Sequence, residues 1–304
     1  MAKMLYLIWP DHVYIDKCIE AGIDTLIVAV YSLPGDKNTG NYFDTWEQTL
    51  DVFKRYHDKV KCIALPVIYE FFEDLPESQC FMQANKYYRR SFCPTSEEHI
   101  KWRLDPFKEL YEKGLCHEVI LDTEHYTGAP MIYSEEVRCD CPRCAGMSWE
   151  DQWKTRAGMI KKYPMVTGQM WSHKWWGLSC YPNPSWLLSE ETYMVGSGEG
   201  CSTKFGYKRE QASAKKKHNV KYRFIPGAWI EPCNGTDKFL DYLKYLKSNS
   251  PYEGYWIYTQ KMFSRWSKMD KGQIEDFRKS SGFYEERLVD EVDPNFFTKL
   301  KAIN

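Results

Sequence analysis

Net charge is nearly absent from this chain, and so are long apolar runs. Its 41 Lys plus Arg stand against 42 Asp plus Glu, a formal charge of −1, so no broad field draws nucleic acid or an anionic membrane to it. The longest apolar stretches, such as Thr25 to Val30 and Cys62 to Ile68, fall well short of the ~18 residues a membrane helix needs. Neither nucleic acid nor membrane is expected as a partner. There is no Walker loop, no dinucleotide glycine fingerprint and no internal repeat, which removes the commonest nucleotide-binding and solenoid readings. Met1 to Pro10 holds one Lys and a short apolar stretch without a small-residue cleavage site, so it is expected to be a first strand and not a leader. Eleven cysteines, an odd number in a chain of this length, favour a reducing compartment and a cytoplasmic location, with a mature secreted fragment as the alternative.

What is abundant is aromatic surface: 22 Tyr, 15 Phe and 12 Trp make up 16% of the chain. Much of it belongs in a core, because aromatic rings bury large areas. Trp171, Trp175, Trp176 and Trp186 lie among Pro, Gly, Ser and Asn instead of in a periodic helix, a setting that suits a sugar-stacking platform as well as a loop packed on its own rings. At 43% hydrophobic and 27% charged, with 18 Gly and 15 Pro, the chain resembles no disordered or low-complexity protein.

Short β-branched runs alternate with longer helical patterns, the signature of βα units around a parallel sheet. Strands are expected at Leu5 to Trp9, Thr25 to Tyr31, Lys61 to Tyr69, Glu118 to Glu124, Met165 to Met170, Gly177 to Tyr181, Tyr222 to Ile230 and Gly254 to Thr259. Helices are expected at Asp44 to His57, Ser96 to Lys113, Trp149 to Lys162, Lys208 to His218 and Asp237 to Lys247, with cap signals at Thr95 or Ser96, Ser148 and Thr236. Eight such units imply an α/β fold, a (β/α)8 TIM barrel with long βα-loop insertions. The 304 residues fit one such domain of roughly 250 residues plus insertions. Residues 264–304 are expected as a helical extension packed on the barrel. The long segments Glu70 to Phe92, Tyr126 to Met147 and Pro182 to Phe205 all follow expected strands, the side where such barrels carry their active sites.

The sharpest chemical signal is Val119-Ile120-Leu121-Asp122-Thr123-Glu124-His125-Tyr126. Residues two apart in a strand share a face, so Asp122 and Glu124 are neighbours near the end of the fourth strand. Like-charge proximity and partial desolvation would raise one pKa and leave a protonated acid beside an ionised partner, which is what glycoside cleavage needs. The plain alternative is that Asp122 caps a loop and Glu124 pairs with a cation.

These residues resemble the end of the fourth strand in family 18 chitinases and endo-β-N-acetylglucosaminidases, which closes with Asp-x-Glu. Of that family's longer Asp-Gly-x-Asp-x-Asp-x-Glu signature only Asp122 and Glu124 correspond, since His117, Glu118 and Ile120 occupy the earlier positions. The resemblance implies Glu124 as general acid and Asp122 as the group that orients a substrate acetamide for attack on the anomeric carbon. It also implies a tyrosine and a tryptophan at the sixth and eighth strands, and Tyr181 and Trp256 are similar in position.

A second two-carboxylate route uses Glu231, at the end of the seventh strand in Pro226-Gly227-Ala228-Trp229-Ile230-Glu231, as nucleophile to Glu124 as acid; retaining enzymes hold such carboxyls ~5 to 5.5 Å apart. Glu70, ending the third strand, is a further acid. Trp229, Trp256, Tyr258, Trp171, Trp176, Tyr126 and Tyr181 are the expected sugar-binding rings of an aromatic cleft. The expected function is therefore a glycoside hydrolase acting on an oligo- or polysaccharide, with a non-catalytic sugar-binding barrel as the competing class. A metal-dependent hydrolase is a third, disfavoured by the lack of a paired-His motif. No cofactor is expected for catalysis.

Cys139-Asp140-Cys141-Pro142-Arg143-Cys144 sets three thiols within six residues. They could wrap a soft metal such as zinc in a structural site, with Cys93, Cys116, Cys180 or His125 as fourth ligand. Reduced thiols in a compact loop and an internal disulfide are the other readings.

Overall fold

The structure is a computed structural model, and it describes residues 1–7, 11–30, 33–34, 45–66, 76–122, 138–170, 186–189, 223–229, 236–248, 254–258, 261–263, 286–289 and 293–304. Twelve strands are described: β1 (Ala2–Leu7), β2 (Thr25–Val30), β3 (Lys61–Pro66), β4 (Cys80–Gln83), β5 (Lys86–Phe92), β6 (Glu118–Asp122), β7 (Val166–Met170), β8 (Trp186–Ser189), β9 (Arg223–Trp229), β10 (Gly254–Tyr258), β11 (Lys261–Phe263) and β12 (Glu286–Leu288). The described helices are α1 (His12–Glu20), α2 (Trp46–Tyr56), α3 (Glu97–Glu112), α4 (Trp149–Ile160), α5 (Thr236–Ser248) and α6 (Phe296–Ile303).

A curled parallel sheet organises the chain. Its pairings run β1, β10, β9, β8, β7, β6, β3, β2 and return to β1. Strands such as Thr-Leu-Ile-Val-Ala-Val in β2, buried at every position, are continuous apolar runs because both faces are covered. Leu5, Leu26, Val28, Cys62, Ala64, Val119, Leu121, Tyr255 and Ile257 form one face, in a cluster with helix residues such as Ile15, Phe53, Leu104 and Leu243. The alternate residues Met4, Tyr6, Ile27, Ile63, Leu65, Ile120 and Trp256 are equally buried and line the inside of the ring. At the ring's N-terminal end a polar trio sits among them: Lys61 pairs with Glu118, and Thr167 Oγ1 donates to Glu118 Oε2 at 2.8 Å. Where β10 meets β1 the approach is close, for a Cβ on Gly254 would lie 2.1 Å from the Ala2 carbonyl oxygen.

Each helix start has a local cause. Asp11 accepts from Tyr14 N, Ser96 from His99 N and Ser148 from Asp151 N, while Thr45 and Gln48 form a reciprocal capping box. Helix α6 lays Phe296, Leu300 and Ile303 into the core, with contacts to α5 and α1.

Three expectations are corrected. The sixth strand of the ring is Trp186–Ser189, later than the expected 177–181, which lies outside the described residues; Trp186 thus belongs to a strand and not to the loop cluster. The segment after Phe263 is not wholly helical, because β12 pairs antiparallel with β11. The 70–92 insertion contains a hairpin, β4–β5, turning at Ala84 and Asn85 with φ of 50° and 59°, the left-handed pair a tight hairpin requires. The expected helix at 208–218 lies outside the described residues.

Candidate functional site

Because the ring strands are parallel, their C-terminal ends share one rim. Asp122 closes β6 there and pairs in register with Met170. Its position falls on the strand face of Ile120 and Glu118, opposite to that of Val119 and Leu121, which join the helix-side cluster. Trp229 and Tyr258 close β9 and β10 and are direct register partners, so three of the expected site residues end strands at the same rim. Trp256, one layer deeper, has its side chain fully buried with its ring centroid 5.8 Å from that of Tyr6. It packs the barrel interior instead of offering an open sugar platform. Glu124, Tyr126, Trp171, Trp176, Tyr181 and Glu231, together with Glu70, lie outside the described residues.

Beside this rim the cysteine segment meets the β4–β5 hairpin. The Sγ atoms of Cys93, Cys139, Cys141 and Cys144 all lie within 4.8 Å of one another, and all four side chains are buried. Cys93 Sγ is 3.6 Å from Cys141 Sγ and 3.4 Å from Cys144 Sγ. Of the four fourth-ligand residues weighed from sequence, Cys93 is the one brought here. Cys116 points elsewhere, its Sγ 3.0 Å from the Glu118 carbonyl, and Cys180 and His125 lie outside the described residues.

The backbone explains the meeting. Asp140 N donates to Met82 O at 2.8 Å, Met82 N donates to Cys139 Sγ at 3.3 Å, and Ala84 N donates to Asp140 Oδ2 at 2.8 Å. The Asp140 carboxylate thereby supports the left-handed turn residue. From below, Gln152 of α4 clamps the Cys139 backbone, accepting from its N–H at 3.1 Å and donating to its carbonyl at 2.6 Å. The sequence signal for Cys93 was faint: a single Cys two residues before Thr95 and the Ser96 cap, far from the other three.

The electrostatics differ sharply among the thiols. Hydrogen bonds from Cys139 and Cys144, with help from Thr95, outweigh burial and hold Cys93 far below the ordinary thiol range. Cys139 is pushed up by Cys144, Cys93 and burial. At Cys144 the Cys139 contact lowers the pKa, but Cys93 and burial push it up to about 12. Arg143 sits close by; burial works against its charge, yet Cys93, Cys141 and Glu98 raise its pKa. Cys62 and Cys116 are driven up to about 12 by burial, the mark of inert core thiols. Behind the cluster the His99 ring stacks on Phe92 at 3.9 Å and Arg156 lies 4.5 Å over the Phe92 ring. Burial first, then Arg156 and Arg103, hold His99 well below its usual pKa, against a small opposing pull from Cys93.

No family model matches the chain, and no curated protein matches it. Solved structures do. The cycloalternan-degrading enzyme from Trueperella pyogenes in complex with a covalent intermediate aligns with a TM-score of 0.50 at 8% identity, covering 99% of this chain and 45% of that one. The Kfla1895 mutant in complex with cyclobis-(1->6)-alpha-nigerosyl aligns with a TM-score of 0.50 at 9% identity, over 99% and 46% of the two chains. An alpha-galactosidase from Lactobacillus brevis aligns with a TM-score of 0.48 at 10% identity, over 92% and 39%. The chain spans less than half the length of these structures, and at such identities the likeness is one of fold.

Proposed function

We propose that the chain is a glycoside hydrolase on a (β/α)8 barrel, cleaving an oligo- or polysaccharide at the C-terminal rim of the ring. Glu124 is the proton donor and Asp122 its partner, and catalysis needs no cofactor. The observation that carries this reading is the place of Asp122, last residue of the fourth ring strand and on the face shared with the interior residue Ile120. Period-two alternation carries the same face on to Glu124. The fold shared with carbohydrate-active enzymes is consistent with it and does not by itself specify chemistry. In the substrate-assisted form suggested by the resemblance to family 18, Asp122 orients a 2-acetamido group and the acetamide oxygen attacks the anomeric carbon as Glu124 protonates the leaving oxygen.

A second route takes Glu231 as nucleophile. Its support is that β9 ends at the same rim with Trp229 beside Tyr258, two residues before Glu231. Trp229, Tyr258 and the aromatic residues of the following segments would supply the stacking surface for sugar.

The test is a panel of N-acetylglucosamine-based and plain α- and β-linked oligosaccharides, assayed with wild type, Glu124→Gln and Glu231→Gln. Cleavage confined to 2-acetamido substrates and lost only in Glu124→Gln supports the substrate-assisted route. Cleavage of plain glycosides lost in both variants assigns the nucleophile to Glu231. Near-normal turnover in Glu124→Gln overturns the assignment, and calorimetric binding without hydrolysis of any bound glycan makes the chain a sugar-binding barrel.

A further inference from the structure

We propose that Cys93, Cys139, Cys141 and Cys144 together hold one structural zinc ion, which fastens the β4–β5 hairpin to the loop leading into α4. The inference is independent of the glycosidase reading. A tetrahedral zinc ion takes sulfur at about 2.3 Å, which places its four sulfurs about 3.8 Å apart. Here two of the separations are 3.4 and 3.6 Å and none exceeds 4.8 Å, so a small adjustment of side chains, without backbone movement, gathers them around an ion. A disulfide would need two of these sulfurs at about 2.05 Å and would leave the other two as buried thiols. The set is all-sulfur, which selects a soft ion, and four protein ligands leave no position for substrate, which makes the site structural and not catalytic.

The surroundings fit a thiolate cage. Binding releases one proton from each of the four thiols, and the resulting centre carries an excess of two negative charges. Donors already face the sulfurs: the Met82 N–H at 3.3 Å from Cys139, and the Thr95 hydroxyl at 3.2 Å from both Cys93 and Cys144. Arg143, itself 3.7 Å from Glu98, supplies a neighbouring positive charge. Such outer contacts orient metal ligands and tune their basicity. The cage also supplies what the surrounding apolar cluster is too small to give alone, since besides the four cysteines it holds only Phe81, with Met82 and Tyr88 against it.

The consequence is mechanical. Cys93 follows the hairpin inserted after the third ring strand, and the other three cysteines follow the fourth. One ion thus ties together two insertions on the rim that carries Asp122.

The experiment is metal analysis of the whole chain purified under reducing conditions, with reconstitution by zinc alone, cobalt substitution, and a chelator competition on wild type, Cys93→Ser and Cys116→Ser. The expected result is one zinc per chain, a tetrahedral tetrathiolate spectrum with cobalt, affinity lowered at least about tenfold in Cys93→Ser, and an unchanged equivalent in Cys116→Ser. A wild-type chain that neither carries nor takes up one equivalent overturns the proposal, as does a disulfide among the four found by mass spectrometry without reductant. Stoichiometric iron and a coloured protein overturn the identity of the metal. Retention of full affinity in Cys93→Ser removes Cys93 from the site; if that variant does not fold, the ligand count is read from the cobalt spectrum of wild type.

Discussion

At the N-terminal end of the ring, hydrogen bonds and apolar contacts converge on the last helix, whereas at the C-terminal end a hairpin and a loop meet through four sulfurs. Asn304 Nδ2 donates to the Ala21 carbonyl at 2.8 Å, Tyr255 donates its hydroxyl to Asn304 Oδ1, and Phe296 lies fully buried beside Phe239. That floor is assembled from parts far apart in the chain by ordinary core physics. The rim beside Asp122 has little apolar area of its own and relies on directed contacts. Parallel barrels divide labour in this way, one face stabilising and the other carrying loops free to vary.

The division can be broken from either end. Glu124→Gln should lower turnover by about 10²–10⁴ with an unchanged melting temperature, measured by single-turnover kinetics and calorimetry on the same sample. Phe296→Ala should do the reverse, costing about 3–5 kcal/mol in denaturant unfolding while turnover well below the transition stays near wild type. Removing metal with a chelator should raise amide exchange at least about tenfold in 80–92 and 138–147 and leave α5 and α6 as protected as before, because the two ends open as separate units. Equal loss of protection at both ends would show that they are one cooperative unit.

A pH experiment sharpens the comparison further. His99 faces Arg103, Arg156 and Cys93, and its folded pKa lies well below the unfolded value. Between the two values the unfolded state binds a proton that the native state refuses. Stability is therefore intact above the unfolded value of about 6.5 and falls as pH drops below it, by up to about 1.4 kcal/mol per pH unit. His99→Phe should flatten that slope in acid titrations of unfolding free energy. The smallest effect belongs to Tyr255→Phe, which removes one hydroxyl from Asn304 and should cost about 0.5–1.5 kcal/mol, with no change in any zinc or activity measurement.

How much of this was legible in the sequence follows from where the physics is local. Strand runs such as Thr25 to Val30 and caps such as Ser96 and Ser148 depend on neighbouring residues, and they appear where expected. The pleat that puts Asp122 on its face is equally local. Trp186 misled because a single Trp in a Pro-rich and Ser-rich stretch has no periodicity, and only pairing with Gly168 and Arg223 draws it into the ring. Trp256 misled because position on a strand says nothing of depth. The hairpin turn at Ala84-Asn85 carries no glycine, and its backbone is held by Asp140 from a distant segment. Cys93 as the fourth sulfur is a tertiary fact of the same kind, invisible to spacing.

One feature of the ring has a bearing on its size. Gly254 lies so close to Ala2 that a methyl group would overlap the carbonyl oxygen, and the atom it would strike is backbone, which cannot swing aside. The seam between first and last strand is thus gauged by main chain alone. Substitutions elsewhere can trade volume between neighbouring side chains, but at this seam there is no side chain to trade. The barrel's girth is fixed at one point of its circumference and adjustable at the others.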